Sequence, residues 1–158
     1  MRLLAVFVIA LVLVPAAAAW TPVPGSVVNI VEPSMLMTSS GTTLVSFESP
    51  NANTIWVARN HGAPKAVVTN DLAAGQMQLV QQPSGAIQLY YPNAGGVGRL
   101  QSTDDGQTWT GPFQTQSHTL AGVSGAAVAS DGTPYFVQEG TGYVQISRGL
   151  NGETESNV

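Results

Sequence analysis

The sequence contains no cysteine. That excludes disulfides, a lipid-modified cysteine and a thiolate metal site, so the fold must hold by packing and backbone hydrogen bonds. Charge is scarce too: 9% of residues are charged, with Lys+Arg 5 against Asp+Glu 9. No basic patch exists, which argues against nucleic acid and anionic membrane surfaces as partners. The two histidines, His61 and His118, stand alone without ligand spacing, so no metal site and no other cofactor is expected. Beyond residue 19 no apolar run is long enough to span a bilayer, and no Asn-x-Ser/Thr acceptor occurs. A sustained apolar period of 3.6 residues is missing as well, which removes the helical fold classes.

What is present begins with Met1-Arg2, the apolar stretch Leu3–Val14, Pro15 and the small residues Ala16–Ala19. A short positive end, an apolar run and an Ala-x-Ala exit predict a secretory signal peptide over residues 1–19, cleaved after Ala19. The run is too short for a spanning helix, so the expected location is extracytoplasmic, secreted or periplasmic. The remainder, about 139 residues, is the size of one ordinary domain. Gly 17, Pro 10 and many Ser, Thr, Asn and Gln separate short apolar runs, an all-β composition with frequent turns.

Three segments of the remainder repeat one pattern. Each runs a short strand into a Ser/Asp-Gly turn, then a second strand, a loop, and a third strand ending in a polar turn. The turn glycines Gly41, Gly85 and Gly132 lie 44 and 47 residues apart. A period near 45 with about four short strands per unit is the spacing of β-propeller blades. The predicted units are about 35–75, 76–120 and 121–158, after an N-terminal segment 20–34 whose Ser26–Val31 reads as an orphan closing strand. Lys65–Thr69 and Gly111–Thr115 are the expected outer fourth strands. The third unit reads as ending after its third strand, with no fourth. Three blades are fewer than the 4–8 of closed propellers. The sequence is therefore read as an interrupted piece of a longer propeller, with two copies closing a six-bladed ring as the alternative.

The stretch Ser102-Thr-Asp-Asp-Gly-Gln-Thr-Trp109 fills every fixed position of Ser-x-Asp-x-Gly-x-Thr-Trp. It resembles the Asp-box, or BNR repeat, of the sialidase-like β-propellers. A short carboxylate such as Asp104 can accept hydrogen bonds from its own turn, and Gly106 can take the positive φ of the reversal. Trp109 then carries a large apolar ring into the sheet. The resemblance implies an all-β, partial β-propeller of about three four-stranded antiparallel blades. It implies a structural role for Ser102, Asp104, Gly106, Thr108 and Trp109. Calcium at Asp104–Asp105 is the alternative, although a self-bonded turn explains Asp104 without an ion.

In blades of this kind, turns sort onto two faces, and the resemblance implies a ligand on the face away from the Asp-box. The candidate binding residues there are Asn51, Asn53, Asp71, Tyr91, Asn93, His118 and Glu139, with polar loop residues as the alternative reading of each. No catalytic set is predicted. The family's arginine clamp would need three converging arginines, yet Arg59, Arg99 and Arg148 all fall on third strands. Glu139 with Tyr135 or Tyr143 is the one acid–phenol pairing on offer. The expected function is thus an exported binding or scaffold module, with a glycan or glycoprotein as partner by resemblance. The alternatives are a truncated sialidase-like glycoside hydrolase fragment and a propeller that binds protein.

Overall fold

The computed structural model describes residues 31–49, 53–72, 75–116, 121–140, 143–149 and 153–157. The predicted signal peptide and most of the N-terminal segment lie outside them. Among the described residues, twelve strands form three sheets in chain order. The first holds β1 (Val31–Met37), β2 (Thr43–Ser49), β3 (Thr54–Arg59) and β4 (Lys65–Thr69). The second holds β5 (Gln78–Gln81), β6 (Ile87–Asn93), β7 (Gly96–Ser102) and β8 (Thr110–Gln116). The third holds β9 (Ala121–Val128), β10 (Pro134–Gly140), β11 (Tyr143–Arg148) and β12 (Glu153–Asn157). Every neighbouring pair is antiparallel. The chain is a partial β-propeller of three four-stranded blades, and no helix among the described residues is long and apolar enough to cross a membrane.

One expectation is corrected. The third blade does have a fourth strand: Glu153–Asn157 pairs with β11, Arg148 opposite Glu153 and Gln145 opposite Asn157. Its sequence, Glu-Thr-Glu-Ser-Asn, has no apolar alternation, because an outermost strand is held by hydrogen bonds rather than by burial on one face. The residue read as ending an orphan strand, Val31, opens β1 and stands opposite Glu48.

The first hairpin of every blade closes in the same way. The glycine amide donates to the carbonyl three residues back, Gly41 to Thr38 (2.9 Å), Gly85 to Gln82 (2.8 Å) and Gly132 to Ala129 (2.9 Å). All three glycines are left-handed, φ 83°, 87° and 88°. A type I turn followed by a left-handed residue is the standard three-residue hairpin, and glycine takes that last position without a Cβ clash. The 45-residue period is therefore a period of identical turns.

Side chains alternate along each strand, so β6 serves two cores. Ile87, Leu89 and Tyr91 face the first blade and join Leu44, Ile55, Val57, Val68, Met77, Leu79 and Leu100. Tyr90 faces the third blade with Val80, Val97 and Phe136. The Tyr90 and Phe136 rings meet edge to face at 4.7 Å. The phenol of Tyr90 donates to Gln88 Oε1, and burial pushes its pKa up to about 12. Each fully buried leucine or isoleucine contributes about 1.5–3 kcal/mol, so these two inter-blade layers hold the molecule. The inner strands are also stitched directly: the Leu79 amide of β5 donates to Ser34 Oγ of β1 at 3.0 Å.

Candidate functional site

Hydrogen bonds sort the turns onto two faces. On the first face, the β7–β8 turn braces itself around Asp104. Its Oδ1 accepts from the Ser102 hydroxyl (2.8 Å), the Gln107 amide (3.1 Å) and the Thr108 amide (2.9 Å), and its Oδ2 accepts from the Thr108 hydroxyl (2.6 Å). The Gly106 amide caps Ser102 Oγ at 2.9 Å. Trp109 packs, partly buried, against the first core. The Thr108 hydroxyl and amide, with lesser help from Ser102 and Gln107, pull the Asp104 pKa down to about 2 against desolvation.

The neighbouring Asp105 does different work. It accepts hydrogen bonds from Ser40 Oγ (2.9 Å) and Thr42 Oγ1 in the first hairpin of the preceding blade. Arg59 adds an ion pair at 3.2 Å and donates Nε to the Asp105 carbonyl at 2.9 Å. Those donors, Thr42 first, hold the Asp105 carboxyl below the usual range. Both carboxylates are occupied by N–H and O–H donors, which is the opposite of a calcium cage. Sequence reasoning missed the clamp, because its partners lie 46 and 65 residues away.

A stability signature follows from the lowered Asp104 pKa. A carboxylate depressed in the folded state stabilises above its unfolded pKa, near 4, and that contribution is lost as pH falls through about 2. Asp104→Asn is expected to lie below the parent in urea midpoint at pH 7 and to converge on it by about pH 2. Parallel pH curves for the two proteins would contradict this.

On the opposite face three of the seven candidates come together. Asp71, in the link after β4, accepts from the Tyr91 hydroxyl at 2.9 Å and from Asn93 Nδ2 at 3.4 Å, both on Oδ2. Asn93 Nδ2 also donates to Gln114 Oε1 of β8 at 3.0 Å, and its Oδ1 accepts the Gly95 amide at 3.1 Å. Gln114 Nε2 returns to the Gly95 carbonyl at 3.0 Å. The tight β6–β7 hairpin is thus pinned to β8 and to the preceding blade. Asn53, left-handed at φ 46°, joins the same face by accepting the Asn70 amide at 2.8 Å.

The Tyr91 ring is completely buried, packed over Gly98, its register partner on β7. Burial, then the bond to Asp71 and the charge of Asp71, push its phenol pKa up. Tyr91 is consequently a fixed hydrogen-bond donor to Asp71. Asp71 and Asn93 remain half-buried, and both of these donors to Asp71 fall on Oδ2. A positioned carboxylate beside a positioned carboxamide is a hydrogen-bonding edge suited to vicinal hydroxyls.

The other candidates are placed as follows. Asn51 and His118 lie outside the described residues, as does Trp20. Glu139 lies on β10 opposite Val144. Four residues of strand separate it from Tyr135, about 13 Å, too far for that acid and phenol to pair. The arginines do not converge: Arg59 is bound to Asp105, Arg99 lies 5.1 Å over the Phe113 ring, and Arg148 stands opposite Tyr135 and Glu153. No cluster of His, Cys, Asp or Glu among the described residues is arranged to hold a metal. One acidic pair was not foreseen. Glu48 at the end of β2 is buried, and its pKa is raised by burial and then by Glu32, left-handed at φ 51°.

The fold so described is that of the propeller class, and comparison with solved structures agrees. An α-L-arabinanase of Penicillium chrysogenum, complexed with arabinobiose, superposes with a TM-score of 0.50 at 16% identity, covering 87% of this chain and 51% of that one. A mutant α-L-arabinofuranosidase of Fusarium graminearum, with an iminosugar inhibitor, gives 0.53 at 13% identity over 82% and 48%. A protein of unknown function from Dyadobacter fermentans gives 0.50 at 15% over 82% and 54%. The chain spans about half the length of these structures. Identities so low establish the shared fold alone. No protein-family model and no curated protein sequence matches the chain.

Proposed function

We propose that this chain is an exported propeller module of the Asp-box kind that binds a neutral glycan on the Asp71 face. The observation that carries the reading is the Tyr91–Asp71–Asn93–Gln114 network, which fixes a carboxylate and a carboxamide side by side where two blades meet. The arabinobiose in the Penicillium enzyme makes arabino-oligosaccharides the first ligands to try. Export rests on residues 1–19, and the Asp-box assignment rests on the sequence Ser102–Trp109 and is supported by the bonds its turn makes to Asp104. Ring closure by a second copy belongs to the same reading. Met35 and Met37, 71% and 70% exposed on the first blade, and Val137 and Val144 on the third, are apolar on the outward sheet faces.

The second reading is a fragment of a propeller glycoside hydrolase, sialidase-like or otherwise, and Glu48 favours it. A carboxyl buried beside Glu32 is held protonated to higher pH, as a general acid requires. Calorimetric titration of the full chain with arabino-oligosaccharides tests the first reading. Binding is expected, and Asp71→Asn should weaken it about tenfold, the loss of one charge-assisted hydrogen bond. No binding to any neutral glycan, or an unchanged Asp71→Asn, would sink it. Turnover of the sugar instead of simple binding would favour the hydrolase.

A further inference from the structure

The cleft between the first two blades on the Asp104 face has no part in the site above. It encloses about 450 Å³, within the size range of small-ligand pockets. Val57 and Val67 form its apolar side, Trp109 and Thr108 come from the β7–β8 turn, and Arg59 and Lys65 supply its charge. No acidic residue lines it. The sequence has only five Lys and Arg in a chain of net charge −4, and two of the five converge here.

The two cations differ in what they have left to give. Arg59 uses Nε and Nη2 on Asp105 and Thr42, so it is fixed in place with Nη1 unused by those bonds. Lys65 opens β4, is exposed, and forms no ion pair among the described residues. Its ammonium is therefore available to an anion from solution. The indole of Trp109 is half-buried, with one side packed on the core and the rest open to the cleft. An aromatic surface receives the C–H face of a sugar ring, and an ammonium beside it donates hydrogen bonds to a carboxylate.

We propose that this cleft is a second binding site, one that takes a carboxylate-bearing sugar such as a uronate. The ring lies on Trp109 against Val57 and Val67, and the carboxylate meets Lys65 with Arg59 behind it. A bare inorganic anion would use the cations and leave the apolar half idle. A neutral sugar would use the indole and leave Lys65 unpaired. The site lies on the face opposite Asp71 and stands independently of the reading given for that face.

The test is titration of the full chain with tetragalacturonate, followed by tryptophan fluorescence and calorimetry, beside a neutral galactose tetramer and inorganic phosphate. Tetragalacturonate is expected to bind and to shift the fluorescence. Lys65→Gln should weaken it about tenfold, the loss of one charge-assisted contact, and Lys65→Glu should weaken it further. Asp71→Asn should leave this affinity unchanged, which separates the result from the fate of the other site. Lys65 lies exposed on an outer strand, so both variants should keep the parent circular dichroism and urea midpoint. The proposal is overturned if Lys65→Gln binds tetragalacturonate as the parent does. It is equally overturned if the neutral tetramer or phosphate alone binds as tightly, or if no tetragalacturonate binds.

Discussion

Gly106→Ala is expected to destabilise the protein by about 2–5 kcal/mol, although it adds one methyl group in a surface turn. Two costs combine. The residue sits at φ 82°, where a Cβ meets its own carbonyl and costs about 1–2 kcal/mol. The added Cβ would also stand 2.6 Å from Leu44 Cδ2 and 3.0 Å from Leu44 Cδ1 in the preceding blade. Leu44 is wholly buried in the first core, so overpacking adds about 1–3 kcal/mol. Leu44→Ala alone should cost about 2–5 kcal/mol through its cavity. In the double variant the methyl meets no leucine, so the two costs should sum to less than their separate values by about 1–2 kcal/mol. Urea unfolding of the four proteins measures this. Additivity to within about 0.5 kcal/mol would mean that the turn does not lean on the neighbouring blade.

That contact explains why the self-bonded turn at Ser102–Trp109 was legible in the sequence while its docking on the neighbouring blade was not. The self-bonding of Asp104 is local, made within the seven residues from Ser102 to Thr108, and residue types at fixed spacing express it fully. The docking of the turn is long-range. Asp105, Gly106 and Trp109 act on Arg59, Ser40, Thr42 and Leu44, none of which has a spacing that advertises the partnership. The same division runs through the rest of the chain. Gly41, Gly85 and Gly132 revealed the blades because one hairpin geometry needs one residue in one conformation. β12 stayed hidden because an edge strand needs only a partner's backbone, and the sequence of Glu153–Asn157 has no apolar alternation.

The candidate site divides in the same way. Alternation of hairpins in a blade was enough to put Asn53, Asp71, Tyr91 and Asn93 on one face. It could not say that Tyr91 would be buried with its hydroxyl on Asp71, or that Gln114 would complete the network. Nor does a lysine on an outer strand signal that the next blade offers it a tryptophan. Those facts belong to the packing of one blade on another, which a linear pattern does not carry.

Gly98→Ala should have the other large effect, and it reaches the site from behind. A Cβ at residue 98 would lie 2.5 Å from Tyr91 Cζ and 2.8 Å from its hydroxyl oxygen. The ring cannot turn away, because Leu89 and Leu100 share its core and its own exposure is nil. Overpacking there should cost about 1–3 kcal/mol. Displacing the phenol also strips Asp71 of a donor, a charge-assisted bond of about 1.5–3 kcal/mol. The total expected loss is about 2.5–6 kcal/mol. Tyr91→Phe removes the same bond but keeps the ring in its bed, so it should show only the second part. The pair of variants separates support of the fold from support of the site. Both should weaken a ligand held by Asp71, while only Gly98→Ala should also disturb the packing between the first two blades. Near-ultraviolet circular dichroism, which reads the environment of the buried ring, should change sharply in Gly98→Ala and little in Tyr91→Phe. If Tyr91→Phe left ligand affinity at the parent value, the phenol would be a packing residue with an incidental hydroxyl bond, and Asp71 would have to be held by Asn93 alone.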